Sequence, residues 1–372
     1  VRVESLELNQ YRNIAELALA CPGELHFFVG PNAQGKTNLL ESLYVLSLGK
    51  SHRTRHHKEL IRFGAKGARI KAKARKGEQL IRLEVELSEK GKKVIRNGIE
   101  QAKLSQYIGS LPSVLFAPED LAIVKGSPQV RRRFLDMEIG QISPSYVWHL
   151  TQLNKLLVQR NSLLKQMAQK QMKSSPLLDV LDEQLIELSV QLWTKRLQFL
   201  KLLTRWAKEI HGAITAGKED LEIRYISSLN LPEEAGAEEW GEAMRRLLPA
   251  WREREMTRGS TLIGPHRDDL SLAVGGVDLH AFGSQGQQRT AALSLKLAEI
   301  ELIHQETGHF PILLLDDVLS ELDDVRKTHL LEAIRGRVQT FVTTTNLEGI
   351  DSRTLERAII YQVRQGMITK LG

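Results

Sequence analysis

Residues 25 to 49 read LHFFVGPNAQGKTNLLESLYVLSLG. The apolar run Leu25 to Val29 predicts a buried strand. Gly30, Pro31, Asn32, Ala33, Gln34, Gly35, Lys36 and Thr37 then spell G-x-x-x-x-G-K-T, and a helix is expected from about Asn38. Each part answers a need of phosphate chemistry. The glycines let the loop wrap phosphates with its N–H groups inward, Lys36 reaches the β and γ phosphates, and the Thr37 hydroxyl ligates Mg²⁺. A chance strand, loop and helix is the bland alternative. It loses ground because the string arrives with the right element on either side.

A second stretch, FPILLLDDVLSELDD at 310 to 324, predicts a buried strand over Ile312 to Leu315 that delivers Asp316 and Asp317 at its C-terminal edge. Ligands of parallel α/β sheets collect at that edge. Asp316 is the natural direct or second-sphere Mg²⁺ carboxylate, and Asp317 is placed to orient or deprotonate an attacking water. Either aspartate could instead simply cap the next helix. A third stretch, GSQGQQR at 283 to 289, opens the apolar run TAALSLKLAEIELI. Ser284 with Gln287 forms a capping box, which any helix can carry, while exposed N–H groups and the positive end of the dipole suit an anion.

The order of these stretches resembles the ABC-type ATPase heads. Ser284, Gln285, Gly286, Gln287, Gln288 and Arg289 lie where that class has its signature, and Ser320-Glu321-Leu322-Asp323 resembles its D-loop. Thr343-Thr344-Thr345 occupies the region of the switch histidine. Together with YRNIAEL, LFAPEDLAIVKGSP, RRRFLD and TLIGPHRDDL, these motifs resemble the RecF family of recombination mediators, from about residue 5 to residue 345. The resemblance implies an α/β, SMC-like P-loop ATPase head with an antiparallel β lobe and an inserted α-helical arm. It implies ATP and Mg²⁺ as cofactors and slow hydrolysis. A homodimer would form on ATP binding, with Ser284 to Arg289 acting in trans, at DNA gaps or single-strand/duplex junctions. RecO and RecR are the implied partners in recombinase loading. Three departures from the general ABC pattern stand out. Gly283 and Gln285 replace the leading leucine and first glycine of the signature, Asp317 replaces the catalytic glutamate, and the γ-phosphate sensor is left between Thr344 and Thr345.

The 372 residues are expected to form a head of residues 1–125 and 258–372 and an arm of residues 126–257. Within the arm, two long helices from Ser143 to about Thr215 break at KSSP, with leucines 150, 153, 157 and 164 on one and 181, 185, 188 and 192 on the other. A compact bundle is the alternative to a projecting hairpin. Residues 60 to 115 carry short alternating runs and read as antiparallel β. The lone Cys21 points to a reducing, cytoplasmic setting, and no run approaches the roughly 18 apolar residues of a membrane span. The net charge of +7 fits a polyanionic partner.

Arg53 and Arg55 sit in a basic stretch, and Arg69, Lys71, Lys73 and Arg75 alternate along one strand, so all four share a face. That face either meets DNA phosphates or is salt-bridged to Glu84 and Glu86 on the answering strand. Arg53 could alternatively turn toward nucleotide. Arg131, Arg132 and Arg133 are either further DNA candidates or pair with Asp136 or Glu138, and His266, Asp268 and Asp269 read as metal ligands, nucleotide contacts or turn chemistry, metal being the least favoured. A P-loop small-molecule kinase would explain the first two stretches but not Ser284 to Gln287. A transporter's nucleotide-binding subunit would explain the signature but not the arm or the basic stripe.

Overall fold

The computed structural model describes residues 1–172 and 174–371. Lys173 of the KSSP break lies outside the described residues, as do the side chains of Glu321, Asp324 and Val325. The chain divides into two compact units. One comprises residues 1–121, 213–216 and 292–372, and the other residues 122–212 and 217–291. The boundary expected at 257/258 therefore falls inside the second unit. The cause is strand pairing, because Asp269–Val274 zips antiparallel onto Leu221–Ile226.

In the first unit a six-stranded sheet runs in the order Met367–Lys370, Ala358–Arg364, Leu25–Val29, Thr340–Thr344, Ile312–Asp316, Ser113–Phe116. All pairs are parallel except the edge hairpin of 358–364 with 367–370. Its central strands are buried almost throughout because both faces are covered, the mainly apolar Leu25–Val29 and Ile312–Asp316 and the threonine-rich Thr340–Thr344 alike. Phe27, Phe28, Leu313, Leu314, Phe341 and Val342 are all buried. Ser113–Phe116, expected in the antiparallel lobe, joins this sheet instead, and its four residues are buried without alternation. The strand of Asp316 is not the direct neighbour of the strand before Gly30. Thr340–Thr344 intervenes.

The second sheet of this unit is antiparallel, in the order Ile14–Ala20, Arg2–Tyr11, Gly67–Lys76, Gln79–Ser88, Gly91–Arg96, Ile99–Glu100. The helix Lys36–Leu48 packs against strands of both sheets, which accounts for its burial on nearly every side.

The second unit holds the helices Pro128–Ile142, Pro144–Gln169, Pro176–Ile214 and Ala237–Arg258 and an antiparallel sheet of Leu221–Ile226, Asp269–Val274 and Val277–Asp278. The two long helices expected from leucine spacing are present, with Leu153, Leu157, Leu164, Leu181, Leu185 and Leu192 buried. They do not stand as a bare hairpin, because the helix Ala237–Arg258 packs on Pro144–Gln169 and Trp240 meets Trp193 with ring centroids 4.8 Å apart. Among the described residues, no helix is long and apolar enough to cross a membrane.

Candidate functional site

The loop from Gly30 to Thr37 leaves the central strand at its C-terminal end and enters the helix Lys36–Leu48. Two of its glycines are demanded by geometry. A Cβ at Gly30 would lie 2.3 Å from the Val363 carbonyl oxygen, and Gly35 adopts φ 107° with Asn13 against its Cα. Lys36 is buried, and its ammonium donates to the carbonyls of Gly30 at 2.5 Å and Pro31 at 2.9 Å. Burial lowers its pKa, opposed by the nearby Asp317 and Asp316 carboxylates.

Asp316 ends its strand as expected and is buried. Its Oδ1 accepts hydrogen bonds from Thr37 Oγ1 at 3.0 Å and from Thr343 Oγ1 at 2.7 Å. The carboxylate is thus tied directly to the phosphate loop through Thr37 and to the intervening strand through Thr343. Burial raises the Asp316 pKa, the two hydroxyl bonds and Arg53 work against it, and the Glu119 carboxylate adds to it. Glu119 follows the strand Ser113–Phe116, whose Phe116 pairs with Leu315. It is a third acid near this edge, inside the motif LFAPEDLAIVKGSP.

Asp317 has a left-handed backbone, φ 54°, rare outside glycine and commonest for Asn and Asp. Its N–H donates to Thr343 Oγ1 at 3.0 Å, and Ser320 Oγ donates to its carbonyl oxygen at 2.7 Å. The turn is therefore held from both sides, and neither aspartate serves as a helix cap. That task falls to Asp323, whose carboxylate accepts from the Arg326 N–H at 2.9 Å and also pairs with the Arg326 guanidinium. Thr344 is committed to the Asn346 carbonyl at 2.7 Å, whereas Thr345 is exposed at the sheet edge.

A brace behind the loop was legible only as the unexplained string YRN. Asn13 Nδ2 donates to the Gln34 carbonyl at 3.1 Å, and its Oδ1 accepts from Asn38 Nδ2 at 2.8 Å. Asn38 Oδ1 in turn accepts from Arg53 Nη1 at 2.9 Å. Beneath them the fully buried Glu41 is held by Arg12 through Nε at 2.9 Å and Nη2 at 2.7 Å, and by Ser51 Oγ at 2.5 Å. Burial pushes the Glu41 pKa up, and these bonds outweigh it, leaving it lowered. Arg53 is thus tied to Asn38 at the start of the helix after the loop, with Glu41 3.7 Å from its guanidinium.

In the second unit, Gln285–Thr307 begins as the capping box required. Ser284 N donates to Gln287 Oε1 at 3.1 Å and Gln287 N to Ser284 Oγ at 3.2 Å. Gln287 Nε2 also meets Glu219 Oε1 at 3.2 Å, and the buried Gln288 donates to the Leu279 carbonyl at 2.7 Å. Their amides are thus engaged within the unit, whereas Ser284 and Gln285 are exposed.

The basic strand is mostly salt-bridged. Arg69 pairs with Glu84 at 3.1 Å and Glu86 at 2.7 Å, Lys71 with Glu84 at 3.8 Å, and Arg75 with Glu4 at 2.7 Å. Lys73 faces Arg82 across the strands, and among the described residues neither it nor Arg55 forms an ion pair. Arg131 pairs with Asp269 at 2.7 and 2.8 Å and Arg132 donates to the Asp268 carbonyl, so neither takes Asp136 or Glu138. Arg133 is exposed. Asp136 binds Arg196 at 2.8 Å. The Asp268 carboxylate accepts from Trp193 Nε1, Tyr225 Oη and Ser228 N between 2.5 and 2.8 Å. His266 is half-buried, desolvation lowers its pKa to about 4, and its Nε2 lies 3.2 Å from the Thr261 carbonyl. These bonds tie the motif to Trp193, Tyr225 and Ser228, and among the described residues no group of three or more potential metal-ligating side chains gathers.

Residues 2–369 match the family model for the RecF/RecN/SMC N terminal domain. The chain is 54% identical over 372 residues to a DNA replication and repair protein RecF from Halalkalibacterium halodurans, covering all of both chains. A protein of the same name from Bacillus subtilis is 51% identical over 368 residues, covering 99% of this chain and all of that one. A solved structure described as the recombination mediator protein RecF-ATP in the RecFOR pathway superposes with TM-score 0.92 at 33% identity, over 100% of this chain and 98% of that one. An Smc head domain from Pyrococcus furiosus matches at TM-score 0.54 and 16% identity, over 100% of this chain and 96% of that one, a likeness of fold.

Proposed function

This chain belongs to the RecF family, and from that premise we propose that it is a DNA-binding ATPase that dimerises on ATP at gaps or single-strand/duplex junctions and assists recombinase loading with RecO and RecR. The observation that carries this reading is Asp316, held between Thr37 of the phosphate loop and Thr343 of the neighbouring strand. A carboxylate and a hydroxyl 3.0 Å apart beside a buried lysine offer hard oxygen donors and a cation, the set that Mg²⁺ and a triphosphate need. The solved relative named RecF-ATP supports the same ligand.

In this reading the loop N–H groups and Lys36 bind the phosphates, and Thr37 with Asp316 holds the metal. Magnesium bound with ATP offsets the charge on the β and γ oxygens. Asp317, fixed by Thr343 and Ser320, orients the attacking water and accepts its proton. It is one methylene shorter than glutamate, so the water lies farther from it and turnover is slow. Thr345, exposed at the sheet edge, contacts the γ-phosphate side. Ser284 and the Gly286 N–H, at a helix start, serve the nucleotide of a second copy. Arg55 and Lys73 are the DNA-contacting members of the basic set, giving affinity without sequence recognition.

ATP turnover measured with gapped DNA, with blunt duplex and with small metabolites tests the proposal. Stimulation by gapped DNA is expected. Turnover indifferent to DNA but raised by a metabolite would favour a small-molecule kinase.

A further inference from the structure

The segment from Arg53 to Lys66 carries five cations, Arg53, Arg55, Lys58, Arg62 and Lys66, against the single carboxylate of Glu59. In its midst Phe63 is 104% exposed, more open than any other large apolar side chain among the described residues. A lone exposed phenylalanine on a floppy loop would mean little. This one is mounted on backbone that is tied down. Arg12 N donates to the Leu60 carbonyl at 2.9 Å, Arg62 N to the Gln10 carbonyl at 2.8 Å, and Ile61 bridges Tyr11. Leu60 anchors the segment in the core. Ala65 N then closes onto the Arg62 carbonyl at 2.9 Å with Gly64 at φ 83°, the pattern of a type II turn, which takes glycine at its third position. Phe63 stands at the second position of that turn.

We propose that Phe63 is a base-stacking residue: flanked by Arg62 and Lys66, which take the adjoining phosphates, its ring receives an unpaired base of the bound DNA. The inference rests on the DNA-binding reading above and deepens it by naming what distinguishes a gap from continuous duplex. Charge complementarity selects the partner. Arg55, Lys58, Arg62 and Lys66 are exposed and form no ion pair among the described residues, so the surface around the ring repels cations and attracts a polyanion. An aromatic platform among cations is how single strands are held irrespective of sequence, because every base offers a π face. Duplex interior offers none without unstacking.

The test compares wild-type protein, Phe63→Ala and Phe63→Trp, with ATP and Mg²⁺, on gapped DNA and on blunt duplex of equal length. Phe63→Ala is expected to lose about five- to a hundredfold in affinity for gapped DNA while leaving duplex affinity and its salt slope unchanged. Phe63→Trp is expected to restore binding, and 2-aminopurine placed at the gap is expected to change fluorescence with the aromatic variants only. Arg62→Gln is expected to weaken both DNAs alike and to reduce the duplex salt slope by about one. Phe63→Ala matching wild type on gapped DNA, or losing gapped and duplex binding equally, overturns the proposal. So does self-association lost in Phe63→Ala with DNA binding intact, which would make the ring an interface between copies. Wild-type protein that binds neither DNA overturns the parent reading as well, and is distinguishable because it needs no variant.

Discussion

Asp316 and Asp317 are neighbours with opposite constraints. Asp316 is a buried carboxylate whose pKa is raised, so its ionised form costs stability at neutral pH. Asp316→Asn keeps an oxygen for both hydroxyls and is expected to raise the thermal midpoint of nucleotide-free protein by about 2–4 °C while abolishing Mg²⁺-dependent turnover. Because the folded pKa lies above the unfolded value, the wild type is relatively most stable below the ordinary carboxylate value and loses that margin as pH rises through the folded one. The two proteins should therefore converge in acid, as differential scanning calorimetry can check. Asp317→Asn is expected to retain ATP affinity and slow turnover at least about tenfold, with ATP-bound dimers accumulating, as single-turnover kinetics and sedimentation can follow. At this scale the sequence announced Lys36, Thr37, Asp316 and Asp317, because their chemistry demands particular side chains at particular spacings. It marked Thr343, Asn13 and Glu119 only as members of motifs and hid what each of them touches, because their partners lie on distant elements.

Elements that bury both faces read clearly, and elements whose neighbours are chosen by topology do not. Ile312–Asp316 and Leu25–Val29 were plain from continuous apolar runs, yet nothing in either says that Thr340–Thr344 lies between them. The alternating strand Gly67–Lys76 predicted a charged face, and only pairing with Gln79–Ser88 and Arg2–Tyr11 brought the glutamates that neutralise Arg69, Lys71 and Arg75 of the four alternating cations while leaving Lys73 without one. The sheet's interior carries a testable oddity. His26 of the central strand is buried, stacks on Phe341 at 4.9 Å and 11°, and has its pKa lowered to about 4 by burial. The unfolded chain thus takes up this proton first as pH falls. Stability from this group is full above about pH 6.5 and drains down to about pH 4. Chemical denaturation at pH 7.5 and pH 5 is expected to show wild type losing about 2 kcal/mol more than His26→Phe, which stacks without titrating. Equal losses would mean that His26 takes up its proton in the fold as readily as in the unfolded chain.

For the whole molecule, the chain order of motifs reads as one ATPase, while the two units assign them differently. The phosphate loop, Asp316 and Asp317 belong to one unit, and Ser284 to Arg289 to the other. Sequence could not place that division, since the pairing of Asp269–Val274 with Leu221–Ile226 sets it. The central claim is that Ser284, exposed at the start of its helix, completes the nucleotide site of a second copy, so that ATP is the adhesive of a two-fold dimer. Sedimentation velocity of wild type, Lys36→Met and Ser284→Arg, each with ATP and Mg²⁺ and with nucleotide binding measured in parallel, tests it most directly. The account predicts dimers for wild type, loss of both ATP binding and dimers for Lys36→Met, and ATP-loaded monomers for Ser284→Arg. Ser284→Arg protein that dimerises with ATP as wild type does would contradict it.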